Sequence, residues 1–202
     1  MKKIKIGLVI LGSLTLVGLI LSGAIYAQTV NFLQDKLIAL DAGHGGSEVG
    51  AQYPANCIKT GITCQIYEKD VNLAVVYVLK DKLVAKGAFV VLTRIGDETI
   101  SSRKERVDKA VTECAKLDLE GVPGADNRKC DVLISIHHNG NIDSTYDGTL
   151  TIYTQNSDKP LARSLLTALT PLTGKNEGML NGGYGMTVYK NLVSAITEAY
   201  YI

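Results

Sequence analysis

The sequence predicts an α/β fold: a three-layer sandwich whose mixed, mostly parallel sheet carries helices on both faces. Two observations support this. Short apolar runs that close in Asp, Gly, Asn or His alternate with longer stretches whose leucines and valines recur at helical spacing. Such alternation builds parallel sheets covered on both sides. The chain is also 202 residues long and 46% hydrophobic, enough for one domain with a buried core.

The elements follow in order. "MKKIK" is a basic head, and the uncharged apolar run "IGLVILGSLTLVGLILSGA" follows it. Residues 1–27 therefore read as either a signal peptide, cleaved after Ala24 or Ala27, or an uncleaved N-terminal membrane anchor through residues 6–25. Both readings export the remainder to the cell envelope: periplasm, cell wall or extracellular space. Residues 28–36 read as a polar linker and 37–202 as the folded domain. "KLIALDAG" is a short apolar strand ending in Asp and Gly. A loop holding Cys57 and Cys64 follows. From Tyr67 to Gly87, Leu73, Val76, Leu79 and Leu83 recur at helical spacing, with Gly87 as the stop. "AFVVLTR" is a second strand and "SSRKERVDKAVTECAKL" a second helix. "DVLISIHHNG" is a third strand and "GTLTIYT" a fourth. "KPLARSLLTALTPL" is a helix. "GMTVYKN" and "SAITEAYYI" read as two further strands.

Charge and cysteines narrow the setting. The net charge is +1, so no electrostatic footprint points to nucleic acid. With the leader lysines Lys2, Lys3 and Lys5 removed, 18 basic residues face 20 acidic ones. Cys57, Cys64, Cys114 and Cys130 bracket two polar loops. In an exported chain, local disulfides are the simplest of three connectivities. A zinc site made by all four thiolates is the alternative, although no C-x-x-C spacing is present. The chain has no tryptophan and two phenylalanines, so any aromatic platform for a sugar must come from its ten tyrosines. A monomer is the default expectation.

In sheets of this kind, sites gather at the carboxyl ends of the strands. His44 follows the first strand and His137 ends the third. Glu198 lies near the end of the last, and Glu68 opens the first helix. Two imidazoles and a carboxylate suit a catalytic zinc with a fourth position left for water. A carboxylate that is not a ligand can then carry the proton. His44, Glu68 and His137 thus stand as metal ligands and Glu198 as general base and acid. Gly43, Gly45 and Gly46 would let a bulky substrate approach. Asp70 is the competing carboxylate to Glu68. Successive strand residues face opposite ways, so His138 is a rim group or a support to the ligands rather than a second ligand. Asn72, four residues after Glu68 on one helix face, and Asn139 are further candidates for support or substrate contact. Arg94 and Arg106 read as structural ion-pair residues. The chain has no G-x-S-x-G elbow, no P-loop and no dinucleotide fingerprint.

These residues lie in motifs that resemble the zinc-dependent N-acetylmuramoyl-L-alanine amidases of bacterial cell walls, amidase type 3. "LDAGHGG" is similar to the family's first motif, which usually has proline where Ala42 stands. "EKDVNLAV", "LTR" with "ERVDKA", "ISIHHNG" and "VYKNLVSAITEAYYI" resemble the following motifs in order. The resemblance covers residues 36–202. It implies one zinc per chain on His44, Glu68 and His137, with Glu198 catalytic and peptidoglycan as substrate. The bond cut would be the amide between N-acetylmuramic acid and the L-alanine of the stem peptide. Two alternatives stand beside it: another zinc peptidase of the stem peptide, and a catalytically silent peptidoglycan-binding or regulatory module. The chain departs from the family's pattern in its two cysteine-bearing loops. The resemblance also leads one to expect a loop and closing helix after the final strand, where this sequence stops four residues past Glu198.

Overall fold

The structure, a computed structural model, describes residues 32–117, 129–143, 145–189 and 191–202. The leader expected at 1–27 lies outside the described residues, as do 28–31 of the linker. Residues 32–35 form a turn, and Leu33 packs against the first core cluster.

Among the described residues, eight strands and five helices follow in chain order. They are β1 (Leu37–Ala42), β2 (Gln52–Tyr53), α1 (Cys57–Thr60), β3 (Ile66–Tyr67), α2 (Glu68–Val84), β4 (Phe89–Leu92) and α3 (Arg103–Lys116). Then come β5 (Val132–Asn139), β6 (Thr149–Tyr153), α4 (Lys159–Thr173), β7 (Asn176–Asn181), α5 (Gly185–Val188) and β8 (Ser194–Tyr201). The main sheet is ordered β4-β1-β5-β8-β6-β7. β1 runs parallel to β4 and β5, and β5 parallel to β8. β6 turns antiparallel against β8, while β6 and β7 are parallel to each other. The mixed, mostly parallel sheet expected from the sequence is therefore present.

Strand alternation divides the core into layers. Ile38, Leu40 and Ala42 of β1, with Ile134 and Ile136 of β5, pack under α2 and α4 through Val76, Leu79, Leu161 and Leu165. Leu37, Ala39 and Leu133 face the other way, onto Val107, Ala110 and Cys114 of α3. Both faces of β1 are thus buried along its whole length, as a central parallel strand requires.

Two sequence expectations are corrected. "GMTVYKN" is not a strand. Gly185–Val188 forms the short helix α5, in which the consecutive residues Met186 and Thr187 are both buried. Thr187 closes the turn by donating both its N–H and its hydroxyl to the Tyr184 carbonyl, each at 2.9 Å. The strand that completes the sheet is β7, "NEGMLN", at the edge. Its ends are exposed and polar, so it carries no apolar run to read. The loop between β1 and α2 also has structure, because β2 and β3 pair there as a short antiparallel hairpin.

The cysteines pair locally, Cys57 with Cys64 and Cys114 with Cys130, at Cα separations of 5.3 and 5.5 Å. No thiol is left free, which removes the four-thiolate zinc site.

Candidate metal centre

Three elements deliver the site. β1 runs into the loop carrying His44, the hairpin hands the chain to Glu68 at the first position of α2, and β5 carries His137 two residues before its end. Glu198 of β8 is in register with His137, so the sheet itself brings them side by side.

His44 sits in the left-handed region at φ 60°, a conformation costing a non-glycine residue roughly 1–2 kcal/mol. Its loop is clamped to hold that shape. Arg106 donates to the His44 carbonyl at 2.6 Å and to that of Ala42 at 2.9 Å. Gly45 and Glu48 exchange backbone hydrogen bonds at 2.9 and 3.1 Å. Arg94, fully buried, donates to the carbonyls of Ala42, Gly43, Lys69 and Gly96. Arg106 makes the expected ion pair, with Asp41 at 3.0 Å. The hydrogen bonds of Arg94 go instead to backbone carbonyls, tying the end of β1 to the start of α2 and to the turn after β4.

Glu68 is the hub. His44 Nε2 lies 3.0 Å from its Oε2, and His137 Nδ1 lies 3.0 Å from its Oε1. The backbone N–H of Ala51 donates to Oε2 at 2.8 Å, and that of His138 to Oε1 at 3.1 Å. The Asn72 amide donates to Oε1 at 3.1 Å and to the Gly43 carbonyl at 3.2 Å. Burial works to raise the Glu68 pKa. The hydrogen bonds and charges of His137 and His44 outweigh it and hold the group well below the usual carboxylate range. Asp70 is exposed and has no part in the cluster.

His138 points the opposite way from His137, as strand alternation expects. It is buried, with Nδ1 2.7 Å from the Asn72 Oδ1 and its ring 4.4 Å from that of Tyr200. An extra residue in β8 after Glu198 shifts the register against β5. Since the Asn72 amide nitrogen already donates to Gly43 and Glu68, its oxygen accepts from His138, which fixes the Nδ1–H tautomer. Desolvation lowers the His138 pKa to about 4, keeping this ring neutral near pH 7. Of the two roles expected for it, the geometry favours support. Asn139 lines the mouth of the site.

The donor atoms of His44, Glu68 and His137 lie within 4.8 Å of one another. Zinc bonds to nitrogen and oxygen are about 2.0–2.2 Å, so one ion could reach all three. Two imidazoles and a carboxylate are also a zinc-type donor set. Beside them, Glu198 Oε2 is buried without a hydrogen-bond partner, at a cost of about 1–3 kcal/mol or more for a charged group. Desolvation, then the charge of Glu68, pushes Glu198 up to about 8. A water and a cation at this point would answer both features.

The glycines act differently from expectation. A Cβ on Gly43 would overlap the His137 ring, and one on Gly50 would overlap Glu68 and His44. These residues make room for the ligands themselves. A Cβ on Gly45 or Gly46 would overlap the 94–99 segment, so their small size serves the packing of that segment. Sequence reasoning also missed Asp41, a buried carboxylate that accepts from Ser135 at 2.7 Å and pairs with Arg106. An acid inside an otherwise apolar strand was the available signal.

A cleft of about 930 Å³ opens from His44, His137 and Glu198 along Arg103, Lys104 and Tyr184.

A family profile described as N-acetylmuramoyl-L-alanine amidase (Amidase_3) matches residues 38–202. The chain is 29% identical to YqiI of Bacillus subtilis over 195 residues, covering 94% of this chain and 82% of that protein. It is 29% identical over 180 residues to the N-acetylmuramoyl-L-alanine amidase LytC of B. subtilis, covering 87% of this chain but only 31% of LytC. The catalytic domain of CwlV, an N-acetylmuramoyl-L-alanine amidase from Bacillus (Paenibacillus) polymyxa, superposes with a TM-score of 0.65 at 27% identity. That match covers 82% of this chain and 80% of the CwlV domain.

Proposed function

The chain belongs to the N-acetylmuramoyl-L-alanine amidase family, whose members hydrolyse an amide bond, and on that premise we propose a zinc-dependent mechanism for it on peptidoglycan. The bond cut is the amide joining N-acetylmuramic acid to the L-alanine of the stem peptide. His44, Glu68 and His137 would hold one zinc. When bound, zinc polarises a carbonyl oxygen and makes water a nucleophile near neutral pH.

The chain's own groups supply the rest. Glu198 accepts the proton of the attacking water at its unpartnered Oε2 and returns it to the departing amine of L-alanine. Its burial keeps that oxygen from being satisfied by bulk water, and a cation held on the neighbouring ligands would favour the ionised form that accepts the proton. The Asn72–His138 pair holds Glu68 at its anchored oxygen, and the arginine-clamped loop holds His44. The observation that carries the reading is the convergence of His44, Glu68 and His137 beside a free, buried glutamate oxygen.

Export is part of the proposal. The basic-then-apolar pattern of residues 1–27 and two disulfides support it. No helix among the described residues is long and apolar enough to cross a membrane. We take the acting form as a monomer.

The test is metal content measured together with wall lysis. Purified protein should carry about one zinc per chain, and chelation should abolish lysis until zinc is returned. Full lysis by a protein stripped of metal would defeat the proposal.

A further inference from the structure

A second cavity lies beyond the metal cluster, and the mechanism above does not use it. Its volume is about 440 Å³, within the roughly 300–1,000 Å³ of small-molecule pockets. None of its wall residues is shared with the Arg103–Lys104 cleft. It is nonetheless continuous with the site. The mouth around the ligands shares Gly50, Ala51 and Gly140 with a shallow channel. That channel shares Asn141 and Ile142 with the cavity.

Four of the ten tyrosines wall it: Tyr53, Tyr146, Tyr200 and Tyr201. Tyr53 and Tyr146 remain 49% and 44% exposed, large for aromatic rings beside a catalytic site. Tyr53 is fixed through its backbone and Tyr146 through its ring. Tyr53 sits on the β2–β3 hairpin, where its carbonyl accepts from Gln65 at 2.8 Å and the Cys57–Cys64 disulfide closes the loop. Tyr146 packs edge-on against Tyr201 at 5.0 Å, and Tyr201 donates to Glu177 at 2.9 Å. Asp143 is the one charged side chain in the wall, and its Oδ1 is already bonded to the N–H and hydroxyl of Thr145.

The substrate has two arms that leave the scissile amide in opposite directions. The peptide arm carries carboxylates. The N-acetylated glycan arm is uncharged once its lactyl groups are amidated. The cleft with Arg103 and Lys104 suits the first. The one cation near the tyrosine cavity, Lys175, lies 4.4 Å over the Tyr146 ring and is already paired with Glu177 at 3.2 Å, so the cavity offers a peptide carboxylate little, but it presents rings with an apolar face and a hydroxyl edge. We propose that the Tyr53–Tyr146 cavity is the glycan subsite, stacking an N-acetylhexosamine next to the muramic acid whose amide is cut. The assignment rests on the amidase reading for the identity of that arm.

The experiment separates the two. Metal-free full-length chain is titrated calorimetrically with the uncharged β-1,4-linked tetramer of N-acetylglucosamine, which needs no turnover. Wild type should bind it, and Tyr53→Ala and Tyr146→Ala should each weaken binding by about tenfold, the size of one lost aromatic contact. In steady-state assays of the zinc-loaded enzyme, both variants should raise KM on long glycan–peptide chains with kcat unchanged. They should matter far less on N-acetylmuramoyl-L-alanyl-D-isoglutamine, which has one sugar. Any of three results overturns the subsite. The first is no binding of the tetramer by wild type, and the second is equal binding by folded variants. The third is a wild-type dimer, seen by sedimentation, that Tyr53→Ala dissolves, which would make the cavity a self-association face. Tetramer binding without any amide hydrolysis would defeat the amidase reading and leave a glycan site standing.

Discussion

At the scale of single residues, the account turns on what surrounds two carboxylates. Glu68 is fixed by three N–H groups, from Ala51, His138 and Asn72, while Glu198 Oε2 is left unpartnered. In the proposed mechanism the first stays put and the second exchanges a proton. Glu198→Gln should therefore keep its zinc by metal analysis and lose about 10²–10⁴-fold in kcat. Unchanged turnover would remove Glu198 from the chemistry. Asn72→Ala removes a support and no ligand, so zinc affinity should fall about 10–100-fold in a competition titration while the fold persists. An unaltered affinity would make Asn72 merely structural. His44, Glu68, His137 and Glu198 could be named from the sequence because each stands in a motif of distinctive residue types. The Asn72–His138 hydrogen bond could not, since its partners lie 66 positions apart and either residue alone reads as a helix-face or strand-end polar group.

At the scale of elements, the junction of β1 with α3 sets the site's precision. Burial by itself would raise the Asp41 pKa. The charge of Arg106, with hydrogen bonds from Thr93 and Ser135, holds it below its ordinary 3.8. A lowered folded-state pKa stabilises the fold above the ordinary value, and that contribution is lost as pH falls through the lower one. Wild-type stability should thus decline from just above pH 3.8 downward. Asp41→Asn should flatten that decline and, at pH 7, cost about 3–5 kcal/mol in urea denaturation by leaving Arg106 buried and uncompensated. A cost within 0.5 kcal/mol would show the pair to be dispensable. Gly43→Ala should leave the far-ultraviolet dichroism intact but displace the His137 ring and lose zinc; full metal content in that variant would contradict the packing described. Elements with buried, periodic faces were legible from sequence. α5 misled because four residues cannot show a helical period, and β7 escaped because an exposed edge strand needs no apolar alternation.

At the scale of the whole molecule, topology does the gathering. Parallel β1 and β5 bring one loop histidine and one strand histidine to the same end of the sheet, and β8 lies beside β5 with Glu198 opposite His137. The fold class was legible because alternating strands and helices leave few other solutions. The strand order was not, since pairing between distant segments leaves no local trace. Nor was the division of the surface into a cationic cleft and a tyrosine-walled cavity, because the four tyrosines come from three separate segments. The most direct test of the whole account is mass spectrometry of peptidoglycan digested with the zinc-loaded enzyme. The account predicts stem peptides released with a free L-alanine amino terminus and glycan chains stripped of peptide. Fragments cut inside the stem, with L-alanine still joined to muramic acid, would contradict it.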